Sequence, residues 1–180
     1  MHLRASVKAL SLLGAAALCV PVAAQSTFSL FAYGTNGGLS AVPLIYDNGY
    51  VMLSNLTSPT NTSSVYFTSN SSSPSTWTVH PDTSAGPGPP FAGGYVILEA
   101  SGSSSRVGVG NSSSDALPLL LFGQTVFAKA DDDDKLKNPF YAAATETEGV
   151  YQLVWDPQNA ADEKLEAVIL RTEKPPGQRD

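Results

Sequence analysis

Short apolar and aromatic runs alternate with turn-forming residues along most of the chain. Runs of this length, rich in Val, Tyr, Phe and Thr and bounded by Gly, Pro, Asn and Asp, are typical of β-strands. The pattern predicts strands at residues 28–33, 43–46, 50–53, 65–68, 76–80, 95–99, 106–109, 118–122, 125–129, 140–144, 150–155 and 167–172. We therefore expect an all-β fold, an antiparallel β-sandwich or a barrel-like domain of about a dozen short strands.

The segments between these strands differ in character. Asp47-Asn48-Gly49 separates Tyr46 from Tyr50 and predicts a tight hairpin, because Asn and Gly accept the positive φ angles of a two-residue turn. Residues 82–94 are rich in Gly and Pro and predict a long loop. Residues 160–170 have apolar positions at helical spacing, but a loop that runs into a final strand is the interpretation we favour.

A faint internal repeat leaves a second fold open. Residues 44–81 and residues 126–157 each contain strands, a turn and a final strand with Trp77 or Trp155, followed by a proline. Repeated four-strand units of this size suit a β-trefoil as well as a two-sheet sandwich. The β-trefoil is therefore the alternative to a sandwich or a barrel.

The first 24 residues have the three parts of a secretory signal peptide. Arg4 and Lys8 precede twelve apolar residues, 9–20, and small residues follow at 22–24. Twelve residues are too few to span a bilayer, which needs about 20. We expect cleavage after Ala24, which leaves residues 25–180 as a single β domain.

Removal of this leader changes the composition that matters for function. Cys19 and His2 leave with it, so the mature chain has no cysteine and His80 is its only histidine. The net charge moves from −6 to −8, because Arg4 and Lys8 are lost. A negative chain without a basic stripe is a poor nucleic-acid binder. The residue types present also exclude disulfides and an ordinary transition-metal site, and they imply no cofactor.

The charges are unevenly distributed along the chain. Residues 25–105 contain no Lys or Arg and only three acids, and they draw their polarity from Ser, Thr, Asn and Gly. The C-terminal residues 171–180 are polar, whereas a glycolipid anchor needs a hydrophobic tail. We expect a protein without a membrane anchor that is released, or held non-covalently in a wall or matrix.

Four N-x-[ST] sequons predict N-linked glycosylation. The acceptor residues are Asn55, Asn61, Asn70 and Asn111. Together with the leader, they indicate a eukaryotic secretory route, because this modification belongs to secreted proteins.

Two parts of the sequence carry a resemblance to known proteins. Residues 28–34 (FSLFAYG), 37–39 (GGL) and 44–49 (LIYDNG) form the first part, and residues 140–155 form the second. They resemble small secreted β-rich proteins of filamentous fungi, a largely uncharacterised group. The resemblance implies a fungal source and an extracellular or cell-wall location, and it implies no activity.

The sequence offers few groups for catalysis or metal binding. Residues 131–135 (DDDDK) lack the spaced ligands of an EF-hand, and neighbouring Asp residues on an extended chain point opposite ways, so we expect a solvated acidic hairpin tip and no metal. His80 alternates with Trp77 and Val79, which places it with Thr76 and Thr78 on the face expected to meet solvent. No G-x-S-x-G nucleophile motif accompanies it.

Glycoside hydrolysis would need two carboxyl groups at a set separation. The available acids are Glu99, Glu146, Glu148 and Asp156. Only Glu99, which follows the apolar run at 95–98, has a setting that could mark a catalytic acid, and we expect that the protein is not an enzyme.

Binding is the chemistry that the composition best permits. Trp77 and Trp155 alternate with polar or outward residues and are expected in the core. Tyr46 and Tyr50 flank the Asp47-Asn48-Gly49 turn and are the candidates for an exposed aromatic pair that contacts a sugar. We expect a non-catalytic, glycosylated, secreted extracellular or cell-wall-associated β-protein, whose partner would be a wall or matrix polysaccharide. A lectin-like carbohydrate-binding module is the alternative, and a glycoside-active enzyme is less favoured.

Overall fold

The computed structural model describes residues 25–56, 62–85, 91–101, 104–129, 135–155 and 165–172. Within these residues the chain forms fourteen β-strands and two 3₁₀ turns, Thr83–Ala85 and Ser113–Asp115. The strands are β1 (Gln25–Phe28), β2 (Phe31–Gly34), β3 (Val42–Asp47), β4 (Tyr50–Ser54), β5 (Ser63–Asn70), β6 (Ser73–Pro81), β7 (Gly94–Ser101), β8 (Ser104–Gly110), β9 (Leu119–Phe122), β10 (Thr125–Lys129), β11 (Leu136–Lys137), β12 (Phe140–Ala144), β13 (Val150–Trp155) and β14 (Leu165–Arg171). The predicted all-β class is confirmed.

Most predicted strands appear with small changes at their ends. The exception is the predicted strand at 28–33, which is divided into β1 and β2. Between them, the carbonyl of Leu30 accepts a hydrogen bond from the Leu44 backbone N–H at 3.1 Å. The chain therefore changes partner at this point, from β5 to β3. The two-residue strand β11 is too short to leave a periodic pattern.

Several predicted features fall partly or wholly outside the described residues. These are the leader at 1–24, the acidic run at 131–134, Asn61 and residues 160–164 of the ambiguous segment. The strand interpretation of that segment is confirmed from Leu165 onward. The part of the chain that the structure describes contains no helix with the length and apolarity needed to cross a membrane.

The strands pair antiparallel, and their pairings include two closed circuits that are also joined by a direct pairing of β8 with β13. In the first circuit, β3, β4, β8, β7, β6 and β5 pair in that order, and β5 returns to β3. In the second circuit, β3, β4, β13, β12, β14 and β2 pair in that order, and β2 returns to β3. The barrel-like form of the prediction fits this arrangement.

The β3–β4 hairpin belongs to both circuits, and its two ends have different partners. Next to the turn, Tyr46 lies opposite Ser63 of β5, and Tyr50 lies opposite Gly108 of β8. At the far end, β3 pairs with β2 and β4 pairs with β13. The hairpin therefore joins the first circuit at one end and the second circuit at the other.

A continuous apolar core runs through both circuits. Its largest fully buried side chains include Leu53, Phe67, Trp77, Phe140 and Leu153. The predicted burial of both tryptophans is confirmed, since Trp77 is 1% exposed and Trp155 is 8% exposed. The Trp77 indole N–H donates to the carbonyl of Pro74 at 3.0 Å, which satisfies its only polar group inside the core.

The turn of the shared hairpin has the predicted geometry. Asn48 has φ 47° and Gly49 has φ 92°. Positive φ at both central residues defines a type I′ turn, whose twist matches that of the flanking strands. The hairpin predicted from Asp47-Asn48-Gly49 is thus confirmed.

Replacing Gly49 by alanine tests how much this turn supports the fold. A Cβ at Gly49 would meet no heavy atom within 4 Å, so the substitution acts only through the backbone. We expect Gly49→Ala to lower the free energy of unfolding by about 1–2 kcal/mol, the cost of a left-handed conformation for an L-residue. Urea denaturation of the variant and the parent protein measures this difference in the free energy of unfolding. Asn48→Gly, which tolerates the same φ, should change the value by only a few tenths, and equal losses in both variants would contradict this account.

Candidate functional site

A cavity of about 480 Å³ opens on the face of the first circuit that is turned away from the core. Residues from β1, β5, β6 and β7 and from the turn after β8 line it. We call it the hydroxyl cavity, because six of its seven lining residues carry a hydroxyl group. The lining residues are Gln25, Thr68, Ser73, Thr76, Thr78, Tyr95 and Ser113. None of these described lining residues is charged.

Strand register brings the central residues of this cavity together. Thr68 of β5 lies opposite Thr78 of β6, and Thr78 lies opposite Tyr95 of β7. Successive side chains of a strand point to opposite faces, so the burial of Trp77 and Val79 turns Thr78 outward. The three residues therefore form one row across three neighbouring strands.

The outward face of β6 is less open than the sequence suggests. Thr76, Thr78 and His80 were expected to meet solvent, but all three are half-buried, and Thr68 beside them is only 5% exposed. The reason is that β5 and β7 flank this face and the turn at Ser113 borders it. The expectation of a solvated face is corrected accordingly.

Two threonines and the imidazole of His80 form a hydrogen-bonded triangle. The two hydroxyl oxygens, Thr68 Oγ1 and Thr78 Oγ1, are 2.6 Å apart. His80 Nε2 is 3.0 Å from the first and 2.9 Å from the second. These are ordinary hydrogen-bond distances, so each of the three polar atoms has partners within the triangle.

The tautomer of His80 decides what the triangle presents to the cavity. The two hydroxyl groups supply two protons for three contacts. When Nε2 accepts, both protons are used inside the triangle, and the oxygens offer lone pairs to a ligand. When Nε2 donates, one hydroxyl proton becomes free to bond outward. The triangle can therefore act as an acceptor or as a donor toward a polar ligand.

The imidazole ring itself is held by its neighbours. It stacks on Tyr66 with ring centroids 5.0 Å apart and an interplanar angle of 18°. Gly93, at φ 85°, lies so close that a Cβ there would be 3.2 Å from His80 Nδ1. A Ser–His–Asp triad needs a carboxylate that orients the histidine. The hydrogen bonds described for His80 come from threonines, and no described carboxylate bonds to it.

The acids considered for glycoside hydrolysis lie elsewhere. Glu146 and Glu148 are exposed in the turn before β13, and Asp156 is outside the described residues. Glu99 is half-buried on β7, opposite Arg106 of β8. None of these described acids lines the hydroxyl cavity.

Glu166 of β14 is an acid without a local sequence signal. It lines a separate cavity of about 450 Å³ together with Asn36 and Tyr151. Its carboxylate lies against Gly34 and Gly38, where an added Cβ would collide with it. Its Oε1 is buried and has no hydrogen-bond partner among the described residues. No second carboxylate is among the described lining residues of this cavity, so a glycosidase pair is not formed here.

Tyr46 and Tyr50 do not form the exposed aromatic pair expected from the sequence. Tyr46 stacks on Phe91, with ring centroids 3.9 Å apart, and packs against the core. Tyr50 lies under Arg106, whose guanidinium carbon is 5.4 Å from the ring centroid. The hairpin register explains the correction. Tyr46 lies opposite Val51, whereas Tyr50 lies opposite Asp47, so the two rings are on opposite faces of the sheet. Both are half-buried.

The predicted glycosylation sites that the structure describes lie where strands end. Asn55 follows β4 and is exposed, and Asn111 follows β8 and is exposed. Asn70 is the last residue of β5, and Asn61 lies outside the described residues. Exposure at Asn55 and Asn111 is the access that an attached sugar needs.

The described residues contain no group of three or more His, Cys, Asp or Glu side chains placed to hold a metal ion. Of the acidic run and its lysine, only Lys135 is described, and it is exposed. The carboxylates of residues 131–134 lie outside the description.

Sequence reasoning singles out Thr76 and Thr78 but misses the other five cavity residues, which are Gln25, Thr68, Ser73, Tyr95 and Ser113. The alternation of Thr76, Thr78 and His80 around Trp77 is visible in the sequence, and it marks one wall. The opposite wall comes from residues beyond the Gly/Pro-rich segment 82–94. Only the register of β6 with β7 reveals that Tyr95 faces Thr78.

Comparisons of the chain with protein-family models, with curated proteins and with solved structures found no match.

The triangle can be tested by removing one hydroxyl. Thr68→Val keeps the shape of the buried side chain but removes its bonds to Thr78 and His80. We expect a loss of about 1 kcal/mol in the free energy of unfolding, together with a shift of the His80 imidazole NMR signals, which are unique in a chain without His2. Thr125→Val, on β10 and outside the cavity lining, is the matched control. Unchanged imidazole signals in Thr68→Val would contradict the triangle.

Proposed function

We propose that this protein is a non-catalytic, secreted glycoprotein that binds a neutral carbohydrate of a cell wall or extracellular matrix in the hydroxyl cavity. The observation that carries the proposal is the chemistry of the cavity wall. Its described lining consists of hydroxyl groups and one amide, without a charged side chain.

Such a wall suits a polyhydroxylated ligand. Ser, Thr and Tyr hydroxyls both donate and accept hydrogen bonds, and the Gln25 amide does both as well. Sugar hydroxyls have the same dual character, so each can find a partner in either sense. A phosphate or carboxylate ligand would gain most from a cationic side chain, and the described lining has none; the one cationic group near it is the α-amino group that cleavage after Ala24 would leave on Gln25.

The size and the aromatic content of the cavity are also appropriate for a sugar. A volume of about 480 Å³ lies within the range of about 300–1,000 Å³ that is typical of ligand sites. Tyr95 contributes an aromatic ring with a polar end, and such rings combine apolar contact with a hydrogen bond. The fixed position of Thr68, Thr78 and His80 reduces the ordering cost that binding would otherwise carry.

The secretory part of the proposal is supported by the sequence. The leader-like first 24 residues and the four sequons fit a glycoprotein of the secretory route. The exposure of Asn55 and Asn111 is consistent with sugar attachment. The resemblance of residues 28–49 and 140–155 to small secreted fungal proteins supports a wall or matrix location.

Binding can be measured by pull-down with insoluble wall polysaccharides and by a glycan array. We expect binding to a neutral glycan, and we expect Thr78→Val to weaken it about fivefold, which corresponds to the loss of roughly one hydrogen bond of ~1 kcal/mol. Thr125→Val should bind like the parent protein. Absence of binding above background, or equal affinity of Thr78→Val, would overturn the assignment of this cavity.

The non-catalytic part of the proposal has its own test. Incubation with the bound polysaccharide should release no reducing ends and no oligosaccharides. A reproducible hydrolytic activity that disappears on Glu166→Gln or Glu99→Gln would replace this proposal with an enzymatic one.

A further inference from the structure

A second cavity, of about 450 Å³, lies where the start of β3, the end of β4 and the start of β5 meet. Its wall combines serine hydroxyls and one acidic residue, Asp82, with an apolar floor. Ser40, Ser54 and Ser64 supply hydroxyl groups, and Leu30 and Leu44 belong to the buried core below. The wall therefore offers hydrogen bonds and apolar contact side by side.

Asn55, the acceptor of a predicted sequon, is one of the residues that line this cavity. Its backbone N–H donates to the carbonyl of Gly149 at 3.1 Å. Its Oδ1 lies against the Cα of Gly149, since a Cβ there would be 2.5 Å from that oxygen. Nδ2 is farther than Oδ1 from that position, because Oδ1 is the only Asn55 atom among the three nearest to it. Nδ2 is the atom to which an N-linked sugar is attached.

The residue after Asn55 adds an apolar surface beside the attachment atom. Leu56 is 41% exposed. Its backbone N–H donates to Ser54 Oγ at 3.1 Å, which fixes the direction in which the chain leaves β4. An N-acetylglucosamine unit has an acetyl methyl group and an apolar ring face as well as hydroxyl groups. The cavity and Leu56 match both kinds of surface.

We propose that this second cavity holds the first N-acetylglucosamine units of a glycan attached to Asn55, so that the glycan forms part of the folded structure. The inference rests on the proposed function, because it requires a secreted glycoprotein. Attachment needs a lipid-pyrophosphate-linked oligosaccharide as donor. Asn55 Nδ2 forms a bond to C1 of the first sugar of this donor and loses one proton. The bond from C1 to the pyrophosphate oxygen breaks, so that the lipid pyrophosphate is the leaving group.

Asn111 provides an internal comparison. It is exposed in the polar turn after β8, and it is not among the described lining residues of either cavity. A glycan at Asn111 therefore lies outside the second cavity, beside the rim of the hydroxyl cavity that Ser113 of the same sequon lines. The two sites should differ in how readily a glycosidase reaches the first sugars.

The experiment compares glycan removal at the two sites in the secreted protein. Peptide mapping after timed digestion with an endoglycosidase should show removal at Asn55 about tenfold slower than at Asn111, the factor given by ~1.4 kcal/mol of contact. After denaturation the two rates should become equal. Ser64→Tyr, which fills the cavity from the exposed edge of β5, should abolish the difference while both glycans remain.

A second measurement distinguishes the contribution of the glycan to thermal stability from that of the asparagine side chain. Thr57→Ala removes the sequon but leaves Asn55 in its contact with Gly149, and it should lower the thermal midpoint. Asn111→Gln should leave the midpoint unchanged. Glycans present at both sites with equal removal rates in the folded protein would overturn this inference alone. Absence of glycan at every sequon in the secreting host would instead overturn the glycoprotein part of the proposed function, and this inference with it.

Discussion

The two-residue turn at Asn48 and Gly49 is the constraint on which the rest of the structure depends. It fixes the register of β3 with β4, and these two strands are the only ones that the two closed circuits of the described sheet share. A shift of one residue would turn every side chain of one strand to the opposite face. Either Leu44 of β3, or Val51 and Leu53 of β4, would then leave the core that both circuits enclose.

The hydroxyl cavity also depends on strand register, in this case the register of strands that lie beyond the β3–β4 hairpin. The first circuit closes through β5, β6 and β7, and this closure aligns Thr68, Thr78 and Tyr95 in one row. On the opposite face the same strands bury Phe67, Trp77 and Val79. Because the apolar face is fixed by the core, the polar face has little freedom to rearrange, and its hydroxyl groups are held in place before any ligand arrives.

Local signals predicted the fold class, the hairpin turn and the burial of both tryptophans. The alternation of apolar and polar residues and the turn-forming residues both depend only on a few neighbouring positions in the sequence. Features that depend on distant pairing could not be predicted in this way. The approach of Tyr95 to Thr78 spans the segment 82–94, and the position of Glu166 against Gly34 and Gly38 joins opposite ends of the chain. Tyr46 and Tyr50 show a subtler limit, because their separation by four residues across a two-residue turn places them on opposite faces.

The distribution of charge links the two proposed carbohydrate contacts to the solubility of the protein. The first circuit spans β3 to β8, and Arg106, the only Lys or Arg in residues 42–110, lies over the ring of Tyr50. A surface with so few charges lacks the usual means of preventing association. Attached sugars and exposed hydroxyl groups hydrate such a surface without charge. Hydroxyl groups in place of charged side chains also avoid the free-energy cost of removing water from an ion when a neutral ligand enters the hydroxyl cavity. The scarcity of charge in this half therefore fits the proposed binding of a neutral glycan, and the predicted glycans at Asn55 and Asn111 would hydrate a surface that has few charges of its own.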